Sequence, residues 1–199
     1  MMAALQSASS ARDKRLFISI FLAFSLLFPG YQVKAQTPQL LLYLPLVATS
    51  PIDQSISSGW KPNDQEQQLE VLFRNDPEQH RKNPQRNAIL AQVARARAQD
   101  MAERNYFNHT DPDGHQANFL VKQAGYPLPN YFPANGNNIE SIGLNYTMAA
   151  EVWEAWKSSP AHRTHVLGED SFFADEVDYG MGYAENSTSK YWVIITAHD

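Results

Sequence analysis

Val177-Asp178-Tyr179-Gly180-Met181-Gly182-Tyr183, followed after a short interval by Tyr191-Trp192-Val193-Ile194-Ile195-Thr196-Ala197, decides the class of this fold. In the first segment bulky apolar residues alternate with Asp178, Gly180 and Gly182, the period of two that marks a strand. The second is a continuous apolar run, as expected of a strand covered on both faces. Residues 185–190 between them read as a turn, so the two strands are expected to pair as an antiparallel hairpin. Most of the periodic sequence upstream is helical. Helices followed by a hairpin predict an α+β domain with helices stacked on a small sheet.

Working outward, the clearest helix spans Ala88 to Asn105. Ile89, Val93, Ala96, Ala98, Met101 and Ala102 form an apolar stripe rich in small residues, and Arg95, Arg97, Asp100, Glu103 and Arg104 are assigned to the remaining surface. Small residues on the stripe imply close packing against another element. Gln65 to Arg74 is a second helix, capped by Asn63 or Asp64 and ended by Asp76-Pro77. Gln79 to Arg86 reads as loop. Ala117 to Ala124 is a short helix closed by Gly125, and Tyr126 to Asn138, with its prolines and asparagines, is a long loop. Thr147 to Lys157 is helical with Thr147 as N-cap, and Trp153 and Trp156 are assigned to the core. Ser159-Pro160 opens a last short helix through Val166, with Ser159 as cap and Pro160 at the first helical position, and Gly168 ends it.

The N-terminal segment reads as an export signal. Arg12, Lys14 and Arg15 precede the apolar run Leu16 to Phe28, which is short for a membrane span, and Val33-Lys34-Ala35 offers small residues at the positions a signal peptidase reads. Cleavage is expected after Ala35, with an uncleaved anchor as the alternative. The predicted organisation is a signal peptide over 1–35, a spacer over 36–64 and one domain over 65–199. The apolar stretch Leu40 to Ala48 carries Pro45 and is too short to cross a bilayer, so no membrane span is expected after cleavage. The chain has no cysteine, which leaves the core to hold the fold without disulfides. A net charge of −5 with no basic patch argues against a nucleic-acid partner.

Three groups far apart in sequence could carry chemistry: His109 beside the Asp111-Pro112-Asp113-Gly114 turn, Glu140, and His162 in the last short helix. Imidazoles and a carboxylate are the usual material of a metal or acid/base site. Several reaction classes are excluded. There is no cysteine nucleophile, no Gly-x-Ser-x-Gly elbow and no His-Glu-x-x-His.

The segments around these residues carry a family resemblance. Phe107-x-His109-Thr110-Asp111-Pro112-Asp113-Gly114, Glu140-Ser141-Ile142-Gly143, Trp156-x-x-Ser159-Pro160-x-His162-Arg163, and the strand positions Gly180-x-Gly182-Tyr183 and Tyr191-Trp192 resemble, in order, motifs of the CAP superfamily. That superfamily comprises the cysteine-rich secretory proteins, antigen 5 and the plant pathogenesis-related proteins, which share the SCP domain, and the chain looks like a bacterial-type secreted member. The match covers roughly Leu69 to Thr196. It implies a three-layer α-β-α sandwich with a small, mainly antiparallel sheet and a surface cleft. In better-known members two histidines and two acidic residues line the cleft, and some bind zinc or another divalent cation. Carried over, His109 and His162 are the two histidines and Glu140 the first acid. The second acidic position falls near Ser159, a departure that leaves three of four groups.

Two imidazoles and a carboxylate are a minimal zinc set with an open position for water. The same three could form a neutral hydrogen-bonded pocket, with the carboxylate orienting an imidazole. His165 and His115 are candidates for an added ligand, the alternative being solvated residues. The leading expectation is a secreted, non-catalytic extracellular module that binds a small molecule, lipid or protein ligand, or a divalent metal, through the His109/Glu140/His162 cleft. A metal-dependent hydrolase or peptidase using the same cleft and a structural envelope or adhesion domain are the competing readings.

Overall fold

A computed structural model describes residues 61–199. The expected export signal, its cleavage after Ala35, and the spacer up to Trp60 fall outside the described residues. A helix and a strand set the frame. Helix α2 (Ala88–Arg104) lies across strand β3 (Asp178–Glu185). The approach is so close that a Cβ on Gly180 would sit 2.2 Å from the carbonyl carbon of Leu90, and one on Gly182 would sit 2.1 Å from the carbonyl oxygen of Ala94. Only glycine admits a helix backbone at that distance. The small residues of α2 that face the sheet, Ala91, Ala94 and Ala98, complete the fit.

Strand β4 (Lys190–Ala197) pairs antiparallel with β3, as the sequence predicts, and is buried almost throughout. Two strands join this hairpin that were read as loop or went unrecognised. Gln85–Arg86 forms a short β1 parallel to β3, and Glu140–Leu144 forms β2, antiparallel to β4 on the far edge. The sheet order is β1-β3-β4-β2, mainly antiparallel.

Side chains alternate across this sheet and divide the interior into two cores. Val193 and Ile195 of β4 pack with Leu90, Ala98 and Met101 of α2 and with Val121 of α3 (Ala117–Gln123). Trp192 and Ile194 face the other way. They meet Leu69 and Phe73 of α1 (Asp64–Asn75), Val152, Trp153 and Trp156 of α4 (Ala149–Ser158), and Val166 and Leu167 of α5 (Pro160–Leu167). Helices on both faces of one sheet make a three-layer α-β-α sandwich. The short α6 (Ser171–Ala174) links α5 to β3. Among the described residues no helix is long and apolar enough to cross a membrane.

Local chemistry explains most helix ends. Asn63 caps α1 by accepting from the Glu66 amide while the Glu66 carboxylate accepts from the Asn63 amide, a reciprocal capping box. Asn87 caps α2, and Gly168 ends α5 in the left-handed region at φ 64°. Two details differ from expectation. Helix α4 begins at Ala149, and the Glu151 carboxylate, rather than the Thr147 hydroxyl, satisfies the entering amides. Arg97, assigned by its charge to the outer face of α2, is 2% exposed.

Gly182→Ala is expected to destabilise the protein by about 1–3 kcal/mol or more, the usual cost of overpacking. Urea denaturation would register this as a lower midpoint, and an unchanged midpoint would contradict the close approach.

Candidate functional site

Arg97 points from α2 toward β2 and holds two segments together. Its Nε donates to Glu140 Oε2 at 3.0 Å, its Nη2 to the Asn108 carbonyl at 2.6 Å, and its Nη1 to the Tyr106 hydroxyl. Glu140, at the start of β2, is 6% exposed. Its other oxygen, Oε1, accepts from His109 Nδ1 at 2.9 Å. The carboxylate therefore fixes the His109 tautomer with the proton on Nδ1 and leaves Nε2 as a lone pair. Asn108-His109 is held on the other side by the turn that follows, where Asp111 Oδ1 accepts from the amides of Asp113 and His115.

His162, in the first turn of α5, is oriented differently. Its Nδ1 lies 2.9 Å from Ser159 Oγ. Ser159 occupies the N-cap position of α5 but makes no capping bond with its side chain, so its role is to orient His162 rather than to cap. Burial, and then the charge of His109, holds the His162 pKa below its ordinary value. The two imidazoles thus lie within electrostatic reach of each other. No hydrogen bond among the described residues engages Nε2 of either ring.

The remaining candidates separate from this pair. His165 is not part of this group. It is 4% exposed, with Nδ1 against Ser141 Oγ at 2.7 Å and Nε2 against Thr196 Oγ1 at 2.9 Å. Burial, then Arg81, holds its pKa well below the ordinary histidine value. His115 stacks on Phe119 at 4.2 Å and pairs with Asp111.

The expected three-ligand metal set does not fit this geometry. Glu140 Oε2 faces Arg97 and Oε1 faces His109, so the buried carboxylate supports a histidine. Among the described residues no group of three His, Cys, Asp or Glu side chains is placed to hold a metal ion. Two imidazole Nε2 atoms remain, fewer than the three protein ligands of a catalytic zinc site.

Arg97 is the site residue the sequence reading missed. The signal was present: on α2 it falls at helical spacing from Leu90, Val93, Ala94 and Met101, all buried, so period rather than charge predicted its direction.

Comparison with known proteins follows the same segments. The model of the cysteine-rich secretory protein family, CAP, matches residues 73–196. The uncharacterized protein YkwD of Bacillus subtilis (strain 168) is 30% identical over 99 residues, a match spanning 50% of this chain and 34% of that protein. The chain thus matches about a third of that relative's length. Among solved structures, an outer surface protein from Borrelia burgdorferi superposes with a TM-score of 0.49 at 16% identity, covering 68% of this chain and 95% of its own. An extracellular protein containing an SCP domain from Bacillus anthracis str. Ames gives 0.43 at 16% identity, covering 66% and 40%.

The geometry of Arg97, Glu140 and the histidines makes two predictions. Glu140→Leu alone leaves Arg97 buried without a counter-charge and is expected to cost about 3–5 kcal/mol, whereas Arg97→Met with Glu140→Leu recovers most of that loss; a denaturation double-mutant cycle measures both. His162 and His165 both have depressed folded pKa values, so the stability they contribute is full above the unfolded value of about 6.5 and is lost as pH falls through the folded values. Urea midpoints taken from pH 7 downward should fall, and His162→Gln and His165→Gln should each flatten that slope.

Proposed function

The chain belongs to the cysteine-rich secretory protein family, and from that premise we propose that it is an exported, non-catalytic binding module whose ligand contacts His109 and His162. One observation carries this reading. Each imidazole has its Nδ1 engaged by a neighbour, Glu140 for His109 and Ser159 for His162, and both Nε2 atoms are left for a ligand. His109 Nε2 is a hydrogen-bond acceptor. His162, kept neutral near pH 7, is a donor or an acceptor according to which way the Ser159 hydroxyl turns. Such a pair suits the polar group of a small molecule, a carbonyl or hydroxyl.

The same geometry disfavours the hydrolase reading. Glu140 is spent on holding Arg97 and His109 together and is buried rather than presented to a water. Export rests on the N-terminal segment, with its basic residues, apolar run and Val33-Lys34-Ala35.

Two titrations of the protein from Gln36 onward test the reading, each beside the His109→Ala/His162→Ala variant. Ligand-observed NMR against fragments bearing carbonyl, hydroxyl and carboxyl groups is expected to find binders that the double variant loses. Calorimetry with zinc at neutral pH is expected to show no tight stoichiometric binding. Fragments that bind both proteins equally, or none that bind the wild type, would overturn the proposal. Tight zinc binding lost in the variant would restore the metal-dependent alternative.

A further inference from the structure

A buried ionic cluster beside α5 lies apart from the Arg97, Glu140 and His109 contacts. Glu176, just before β3, is fully buried. Its Oε2 accepts from the Thr196 hydroxyl at 2.5 Å, and its Oε1 has no hydrogen-bond partner. Arg81 is buried beside it, with Nη2 3.9 Å from Oε2, yet makes no hydrogen bond to the carboxylate. Its donors are committed elsewhere. Nη2 donates to the His165 carbonyl at 2.7 Å and to Thr196 Oγ1 at 3.1 Å. Nη1 donates to the Val166 carbonyl at 3.0 Å, and Nε to the Glu176 carbonyl at 2.8 Å. Val166 and His165 lie in the last turn of α5, so the guanidinium neutralises that helix's C-terminal carbonyls.

A carboxylate with one bare oxygen, next to a cation turned toward carbonyls, is the arrangement of an un-ionised carboxyl. We infer that Glu176 is a proton-operated latch on α5. While the carboxyl keeps its proton, Arg81 stays on the helix C-terminus and α5 is held in the position that presents His162. When the proton leaves to solvent, the carboxylate draws the guanidinium to itself, the His165 and Val166 carbonyls lose their charged donor and keep only the neutral ones from Gly168 and Gln79, and the helix end slackens. The latch stands whether or not the cleft binds a ligand; only its consequence for binding rests on the function proposed above.

The groups facing Glu176 support this assignment. Burial pushes its pKa up to about 8, against the opposing effects of Thr196 and Arg81, and Asp170 at the start of α6 adds to the rise. His165, 3.9 Å away on α5, stays neutral and supplies no counter-charge. Arg81 itself is pushed down by burial to about 10, still charged throughout this range. Because the folded value lies above the ordinary 4.5, the stability that Glu176 contributes is full below about pH 4.5 and is lost as pH rises through about 8.

The test compares the wild type with Glu176→Gln, which keeps a hydrogen bond to Thr196 but cannot titrate. Denaturation midpoints are measured from about pH 6 to about pH 9, and the imidazole resonances of His162 are followed over the same range by NMR. The wild type is expected to lose midpoint and to show a His162 shift centred near pH 8, and the variant to show neither. Identical profiles would overturn the latch, and so would a stability change without the His162 shift. If the variant does not fold, infrared spectroscopy of the wild type decides. The carbonyl stretch of a protonated buried carboxyl should be present at about pH 6 and lost by about pH 9, and its absence at the lower pH would overturn the inference. None of these readouts involves ligand binding, so failure of the latch and failure of the proposed cleft function are told apart.

Discussion

The approach of the α2 backbone to Gly180 and Gly182 is the constraint on which the site depends. It sets how far the helix stands from the sheet, and with that distance the reach of Arg97 toward the edge strand. A wider spacing would leave the guanidinium short of Glu140, and the carboxylate would then be a lone charge in the interior. A buried ion pair is weak as a source of stability, because desolvating two charges offsets most of their attraction. Its value here is positional. One side chain ties β2 to the Asn108 carbonyl, and the carboxylate it neutralises is free to hold a histidine.

The two histidines are then equivalent in sequence terms and unequal in chemistry. His109 leans on an ionised carboxylate that is itself paired, so its ring is held in one tautomer. His162 leans on a hydroxyl that donates or accepts, so its tautomer is not imposed. The pair thus has one fixed and one adaptable member. It also lacks the second anion that would favour a cation between the rings.

Much of the architecture was legible from local patterns. The cap at Asn63, the glycine stop at Gly168, the alternation along β3 and the unbroken apolar run of β4 are short-range signals, and each predicted its element. What was not legible came from pairing at long range. Glu140-Ser141-Ile142-Gly143-Leu144 mixes an acid and a hydroxyl with apolar residues, so it has no clean period. It is a strand because β4 is there to pair with it, with Arg97 on one face to meet Glu140 and His165 on the other to meet Ser141. Gln85-Arg86 has no apolar signal at all. Ser159 was read as a cap because its neighbours looked like a helix start. Only the fold shows that its hydroxyl turns instead toward His162.

The sheet order also bears on the sequence of events in folding. β3 and β4 are joined by a few residues, and their pairing closes a short loop. β2 lies on the edge and must find β4 across three helices, strand β3 and the intervening connections, a contact of much larger sequence separation and higher loop entropy. The strand that carries Glu140 is therefore costlier to recruit than the hairpin and, with one neighbour instead of two, easier to release than β3 or β4. Partial opening at that edge would dismantle the histidine support while the hairpin and α2 remain intact. The support of the two histidines then has a lower free-energy threshold than global unfolding, so it can be lost while the chain is still mostly folded.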